Sequence, residues 1–260
     1  DNPEARMSIG DHLRELRQRL FVSAAGVMVM TVVGYLVYER AFALITRPIE
    51  QANAKGAHLT LNFDTILASF DMKLEVSIWL GILFSSPLWI YEFWAFVGPG
   101  MTRKEKAYTW AYGTAGLFLF LAGAALGIWV MPHAVAILTS FIPNGPTAGV
   151  IGANLYLSFI MRMVLAFGIA FLLPEVLVAL NMLGLMQGKT MLKGWRWAIV
   201  GIVTFMAIVN PMPDPWSMIF MSVPIAGLYF LACFISIRHD KRVERKRAEL
   251  DAELEAALAE

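Results

Sequence analysis

An all-α polytopic membrane protein is the fold class this sequence predicts, and three observations predict it. Hydrophobic residues make up 58% of the 260 and charged residues 16%, with a mean hydropathy of +0.62; soluble domains seldom exceed about half apolar. The apolar residues gather in long runs separated by charged or Pro/Gly-rich stretches. The apolar/polar alternation of a spanning barrel is missing, which leaves helices, because helices satisfy their own backbone in hydrocarbon.

Six runs qualify as spans at 1.5 Å per residue. The first, Leu20 to Tyr38, follows the charged stretch "HLRELRQRL" and has no small-residue cleavage site behind it. It reads as a retained span and not a secretory signal. The second is Leu74 to Val97, and the third is Tyr108 to Met131, with room to extend past Pro132 toward Leu138. The fourth, Leu155 to Met186, is long enough to be tilted, or kinked at Pro174. The fifth, Trp195 to Val209, has 15 residues, which reach about 22 Å against a core of about 30 Å. The sixth is Trp216 to Ile237. The expected architecture is one membrane domain, residues 1–237, with short fifth and sixth helices and a kinked fourth, followed by a charged tail, 238–260.

Charge sets the expected orientation. One side of the bilayer carries Arg6, Arg14, Arg17, Arg19, Arg103, Lys104, Lys106, Lys189, Lys193, Arg196, Arg238, Lys241, Arg242, Arg245, Lys246 and Arg247. The other carries only Arg40, Arg47, Lys55 and Lys73, while Arg162 falls within a span. The positive-inside rule then puts both termini in the cytoplasm. Of the outer loops, 39–72 is long enough for a short helix plus extended chain, 139–154 is Gly/Pro-rich, and "NPMPDP" (210–215) is a tight turn.

Ionisable groups inside spans are costly and mark candidate functional positions. Glu92 sits in the aromatic stretch "LWIYEFWAF", and Arg162 and Glu175 share the fourth span. Thirteen positions separate those two, roughly 20 Å along a helix, so they cannot pair directly. Arg162 can snorkel, and Glu175 follows Pro174, which frees a carbonyl near Ala170. Asp214 can cap the sixth helix at Pro215. The scattered histidines and the single Cys233 predict no metal site and no disulfide. Phosphate-loop, nucleophile-elbow and zincin motifs are absent, so no catalytic residues are predicted and an enzyme is not expected.

Glu15 and Glu105 stand out by sign, since each is a carboxylate in a basic cytoplasmic segment, "LRELRQR" and "MTRKEKA". An i,i+4 pair between Glu15 and Arg19 is the simpler reading, worth a few tenths of a kcal/mol. Local pairing serves Glu105 equally well.

Three stretches in order, "HLRELRQRL", "SSPLWIYEFWAFVGPGMTRKE" and "NPMPDPWS", resemble the TatC family, the receptor subunits of the twin-arginine protein translocase. The resemblance covers residues 8 to about 236. It implies six spans with both termini inside, in a bacterial plasma membrane. It implies binding of twin-arginine signal peptides at the cytoplasmic face, and single-span TatA-type and TatB-type partners. Folded proteins would be exported using the protonmotive force, from a complex in which the chain is a homo-oligomer. No cofactor, metal or nucleic acid is implied. Carried over by motif, Glu15 and Glu105 form the signal-peptide site with Arg17 and Arg19. Pro48, Phe70, Pro87, Phe96, Pro99 and Asp214 match positions of recurrent importance. Leu172 and Met218 stand where the family often has polar residues, and Glu92 where it often has Gln. The alternatives are a proton-coupled small-solute transporter, with Glu92, Glu175 and Arg162 as relay, and a structural scaffold. The transporter predicts inverted repeats or paired broken helices, and the sequence displays neither.

Overall fold

A computed structural model describes the backbone of residues 9–54, 59–63, 65–97, 103–139, 149–182, 184–209 and 215–259. Side chains at several helical positions, 103–109 and 134–139 among them, lie outside the description. The chain falls into two compact units, residues 1–169 and 170–260.

In the first unit, α1 (Ile9–Ala54) is one helix of 46 residues, about 69 Å long. It continues well past Tyr38 into the segment expected as loop. Tyr38, Ile45 and Ile49 form a buried stripe at i, i+7 and i+11, and burying it stabilises the helical extension despite Pro48. Pro48 cannot donate to Leu44 and crowds the turn before it. Within that turn the Ile45 carbonyl accepts the buried Tyr156 hydroxyl at 2.8 Å.

Two strands were not expected. β1 (Leu59–Asn62) pairs in parallel with β2 (Gly149–Gly152), from Leu59↔Gly149 to Asn62↔Gly152. The Asn53 side chain brackets the approach to β1, donating to the Leu59 carbonyl at 2.8 Å and accepting its N–H at 2.6 Å. Four-residue strands about 90 positions apart leave no local periodicity to read.

The expected second span is broken. α2 (Ala68–Phe84) and α3 (Ser86–Val97) meet at Ser85 with a bend of 53°. Pro87 explains it: its ring opposes the carbonyl of residue 83, yet Pro is tolerated in the first turn of α3. The Ile82 carbonyl at the break accepts the Trp89 indole N–H at 3.0 Å. α4 (Arg103–Thr139) runs through Pro132, as the longer reading of the third span required. α5 (Ala153–Met182) contains Pro174 and continues unbroken through it.

Helices α1 and α2 touch backbone to backbone. A Cβ on Gly34 would meet the Ser77 carbonyl, and one on Gly81 would meet the Thr31 backbone. Small residues permit such close approach in a bilayer, where packing replaces the hydrophobic drive between helices.

In the second unit, α5 ends four residues earlier than expected. Gly184, at φ 75°, donates to Asn181 and is followed by Leu185 donating to Leu180. This is the crossed pattern that closes helices on a left-handed residue. α6 (Gly188–Lys193), α7 (Trp195–Val209) and α8 (Pro215–Ala259) follow. The expected short sixth helix is therefore a correction: α8 has 45 residues and carries the charged tail as its continuation. Asp240 fastens this unit. Its Oδ1 accepts from Asn181 Nδ2 at 2.8 Å and its Oδ2 from the Gly188 N–H at 2.7 Å. The buried Tyr229 hydroxyl donates to the Met191 carbonyl at 2.5 Å.

Among the described residues, α1, α4, α5 and α8 are each long and apolar enough to span, and α2 with α3 makes a fifth span if the bent pair is counted as one. α7 is apolar but shorter. The protein is a multi-pass membrane protein.

Gly81→Ala should lower thermal stability in detergent by about 1–3 kcal/mol through overpacking against Thr31. Gly201→Ala, where a Cβ meets nothing within 4 Å, should leave it unchanged. Asp240→Ala should speed amide exchange at Gly188 about tenfold or more, from loss of a charge-assisted bond.

Candidate functional site

The charged start of α1 lies beside α3, and the two helices assemble a carboxylate–guanidinium cluster. Glu15 and Arg19 are one helical turn apart. Arg19 donates from Nε at 2.9 Å and Nη2 at 2.6 Å, both to Glu15 Oε1. From α3, Glu92 Oε2 accepts Arg19 Nη1 at 2.8 Å. Arg19 is thus shared by two carboxylates from different helices, with side-chain exposures of 26%, 21% and 15% for Arg19, Glu15 and Glu92. Glu15 Oε2 is enclosed and has no hydrogen-bond partner among the described residues.

The sequence supplied this arrangement in two parts. Positions 15 and 19 share a helix face by periodicity alone. Glu92 reaches the same face because Pro87 turns α3 away from the axis of α2. Aromatic rings frame the cluster. His12 stacks on Phe96 with centroids 4.4 Å apart and planes at 13°. Tyr91 and Trp94 lie against Trp110 and Tyr112 of α4, at 5.4 and 5.0 Å.

Two carboxylates against one guanidinium leave one negative charge beside the exposed Arg14 and Arg17. Partial burial lowers the effective dielectric, so a cation meeting this surplus is held more firmly than in water. The cluster holds the Arg19 guanidinium between acceptors on two helices, because a planar guanidinium can donate to two acceptors at once.

The remaining predicted positions are spread out. Arg17 is exposed on α1, and Pro87 is exposed at the start of α3. Pro48 is buried in α1, and Phe70, 52% exposed, opens α2; neither adjoins the cluster. Arg162 is exposed on α5, whereas Glu175 on the same helix is buried. Glu105 lies in the first turn of α4, with its side chain outside the described residues. Pro99 and Asp214 also lie outside the described residues.

Sequence reasoning missed the Arg19–Glu92 pair, which joins positions 73 apart, and the His12–Phe96 stack. A polar residue on the first helix and an aromatic on the third carry no local signal of contact. It also missed that Glu75, midway along α2, accepts the Ser158 hydroxyl at 2.6 Å.

Three comparisons relate the chain to known proteins. A family model described as Sec-independent protein translocase protein (TatC) matches residues 11–224. A TatC protein of Xylanimonas cellulosilytica is 43% identical over 94% of this chain and 88% of its own length. Another, of Rothia mucilaginosa, is 36% identical over 96% and 85%. A chloroplastic relative from Arabidopsis thaliana is 29% identical over 87% and 65%. Among solved structures, a crystal structure titled as the twin-arginine translocase receptor TatC superimposes with a TM-score of 0.77. It is 26% identical and covers 86% of this chain and 99% of that one.

A double-mutant cycle between Arg19→Ala and Glu92→Gln should give a coupling of roughly 0.5–1 kcal/mol in thermal unfolding, as expected for a partly exposed pair. A coupling of zero would mean that the pair is not maintained in the folded protein.

Proposed function

We propose that this chain, which belongs to the TatC family of Sec-independent protein translocase proteins, is the receptor subunit that binds the paired arginines of export signal peptides. The observation that carries the reading is the ratio of two carboxylates to one guanidinium around Arg19. That ratio leaves Glu15 with bonding capacity for a second guanidinium. Family membership displaces the solute-transporter alternative. That alternative also needs a matched pair of broken helices, and one bent pair is found among the described residues.

Binding proceeds by exchange. An incoming arginine takes Glu15, and Arg19 keeps its bond to Glu92, so that no charge is left unpaired. Glu105 supplies the second carboxylate, a role that rests on the family motif. Arg14 and Arg17 repel ligands that are merely basic, and a lysine lacks the fork needed for two acceptors. By the positive-inside rule the cluster faces the cytoplasm of a bacterial cell, and both termini lie on that side.

One chain cannot be the pore. Helices about 10 Å across pack without a lumen for a folded cargo. Single-span TatA-type and TatB-type subunits, and further copies of this chain, therefore assemble on it, and the protonmotive force drives export. Pro48, Phe70, Pro87, Phe96, Pro99, Arg162, Glu175 and Asp214 serve the shape and contacts of that assembly. The 15-residue α7 spans about 22 Å and favours a locally thinned bilayer.

Photocrosslinking of a twin-arginine signal peptide to the membrane-embedded protein tests the site. Glu15→Ala and Glu105→Ala should each abolish the crosslink without lowering the amount of folded protein, and a Lys-Lys peptide should bind at least about tenfold more weakly. Unaltered crosslinking in both variants would overturn the proposal.

A further inference from the structure

In the second unit, an open groove of about 780 Å³ is lined by Lys189, Leu192, Lys193, Trp195, Arg196 and Phe230. Three of the six are cations and none is acidic. Lys189 and Lys193 are one turn apart on α6, and Leu192 lies between them on the same side. Arg196 holds its guanidinium carbon 5.7 Å from the centre of the Trp195 ring. No ion pair to Lys189, Lys193 or Arg196 is present among the described residues. The three apolar members are about two-fifths exposed: Leu192 and Trp195 at 41% and Phe230 at 39%.

The groove lies where the apolar part of α8 gives way to its charged tail. Phe230 precedes Arg238 by two turns, and Asp240 ties the tail's first turn to the start of α6. Tryptophan beside lysine and arginine at a helix end marks the headgroup level of a bilayer. A ligand matching this lining must be anionic at one end and apolar at the other. Basic pockets between transmembrane helices bind lipid phosphates on these terms.

We propose that this groove is a binding site for an anionic phospholipid. Lys189, Lys193 and Arg196 hold its phosphodiester, and Leu192, Trp195 and Phe230 carry the upper part of an acyl chain. The proposal is independent of the signal-peptide reading. It gives the short α7 a fixed lipid neighbour at the end where that helix begins.

Native mass spectrometry and thermal unfolding of the full chain in detergent test it. The probes are phosphatidylglycerol, cardiolipin, phosphatidylcholine and inorganic phosphate. Either anionic lipid should stay bound and raise the unfolding temperature, and phosphatidylcholine and inorganic phosphate should do neither. The triple variant Lys189→Gln, Lys193→Gln, Arg196→Gln should weaken anionic-lipid binding at least about tenfold. Lys241→Gln with Arg245→Gln, further along the tail, should leave it unchanged. The three side chains are exposed, so the triple variant should unfold at the wild-type temperature without lipid; returning Arg196 alone should recover part of the affinity. Retained lipid in the triple variant, equal stabilisation by phosphatidylcholine, or a full shift from inorganic phosphate would each overturn the proposal.

Discussion

A backbone inside hydrocarbon has no water to bond with, and every carbonyl or N–H released by a break must find a partner in the protein. The tertiary structure is organised around meeting that demand wherever a helix stops. At the α2/α3 break, the Trp89 indole serves the Ile82 carbonyl. Before β1, Asn53 stands in for a neighbouring strand, bonding both backbone groups of Leu59. At the start of α6, Asp240 accepts from Gly188. Near Pro48, Tyr156 reaches across from α5 to the Ile45 carbonyl. The Trp89 and Asn53 bonds are local, whereas the Asp240 and Tyr156 bonds join segments far apart in the chain and so also fix tertiary contacts.

The same constraint governs charge. A guanidinium at the edge of the hydrocarbon is stable only when its donors are occupied, and Arg19 occupies three of them with Glu15 and Glu92. The bend at Ser85 that brings α3 and Glu92 alongside α1 is therefore both a helix interruption and the origin of the carboxylate surplus. The position of the Glu92 carboxylate depends on a backbone event seven residues away from it. The basic groove at α6 and α7 is the counterpart with opposite sign: three cations with no ion pair among the described residues.

How much could be read in advance followed from range. The apolar runs predicted α4 and α7 closely, because hydropathy over some 20 residues is a local property. Helix ends were harder. α1 outran its apolar stretch because Tyr38, Ile45 and Ile49 bury a stripe that hydropathy does not weigh. α8 continued into the charged tail, where Asp240 bonds Asn181 and Gly188 and Arg245 pairs with Glu249 one turn on. The break after Phe84 had a signal in Ser85-Ser86-Pro87, outweighed by the apolar run around it. The β1–β2 pair and the Asp240 fastening had none, since both join segments distant in the chain.

The sequence by itself determined that this is a multi-pass helical membrane protein, and its motif order identified the family. It also paired Glu15 with Arg19, because one turn of helix requires no more than spacing. Tertiary structure decided that Arg19 has a second carboxylate in Glu92 and that Phe230 of α8 joins Lys189, Lys193 and Arg196 in one groove. These depend on where the chain returns to itself, and spacing along a sequence does not encode distance across a fold.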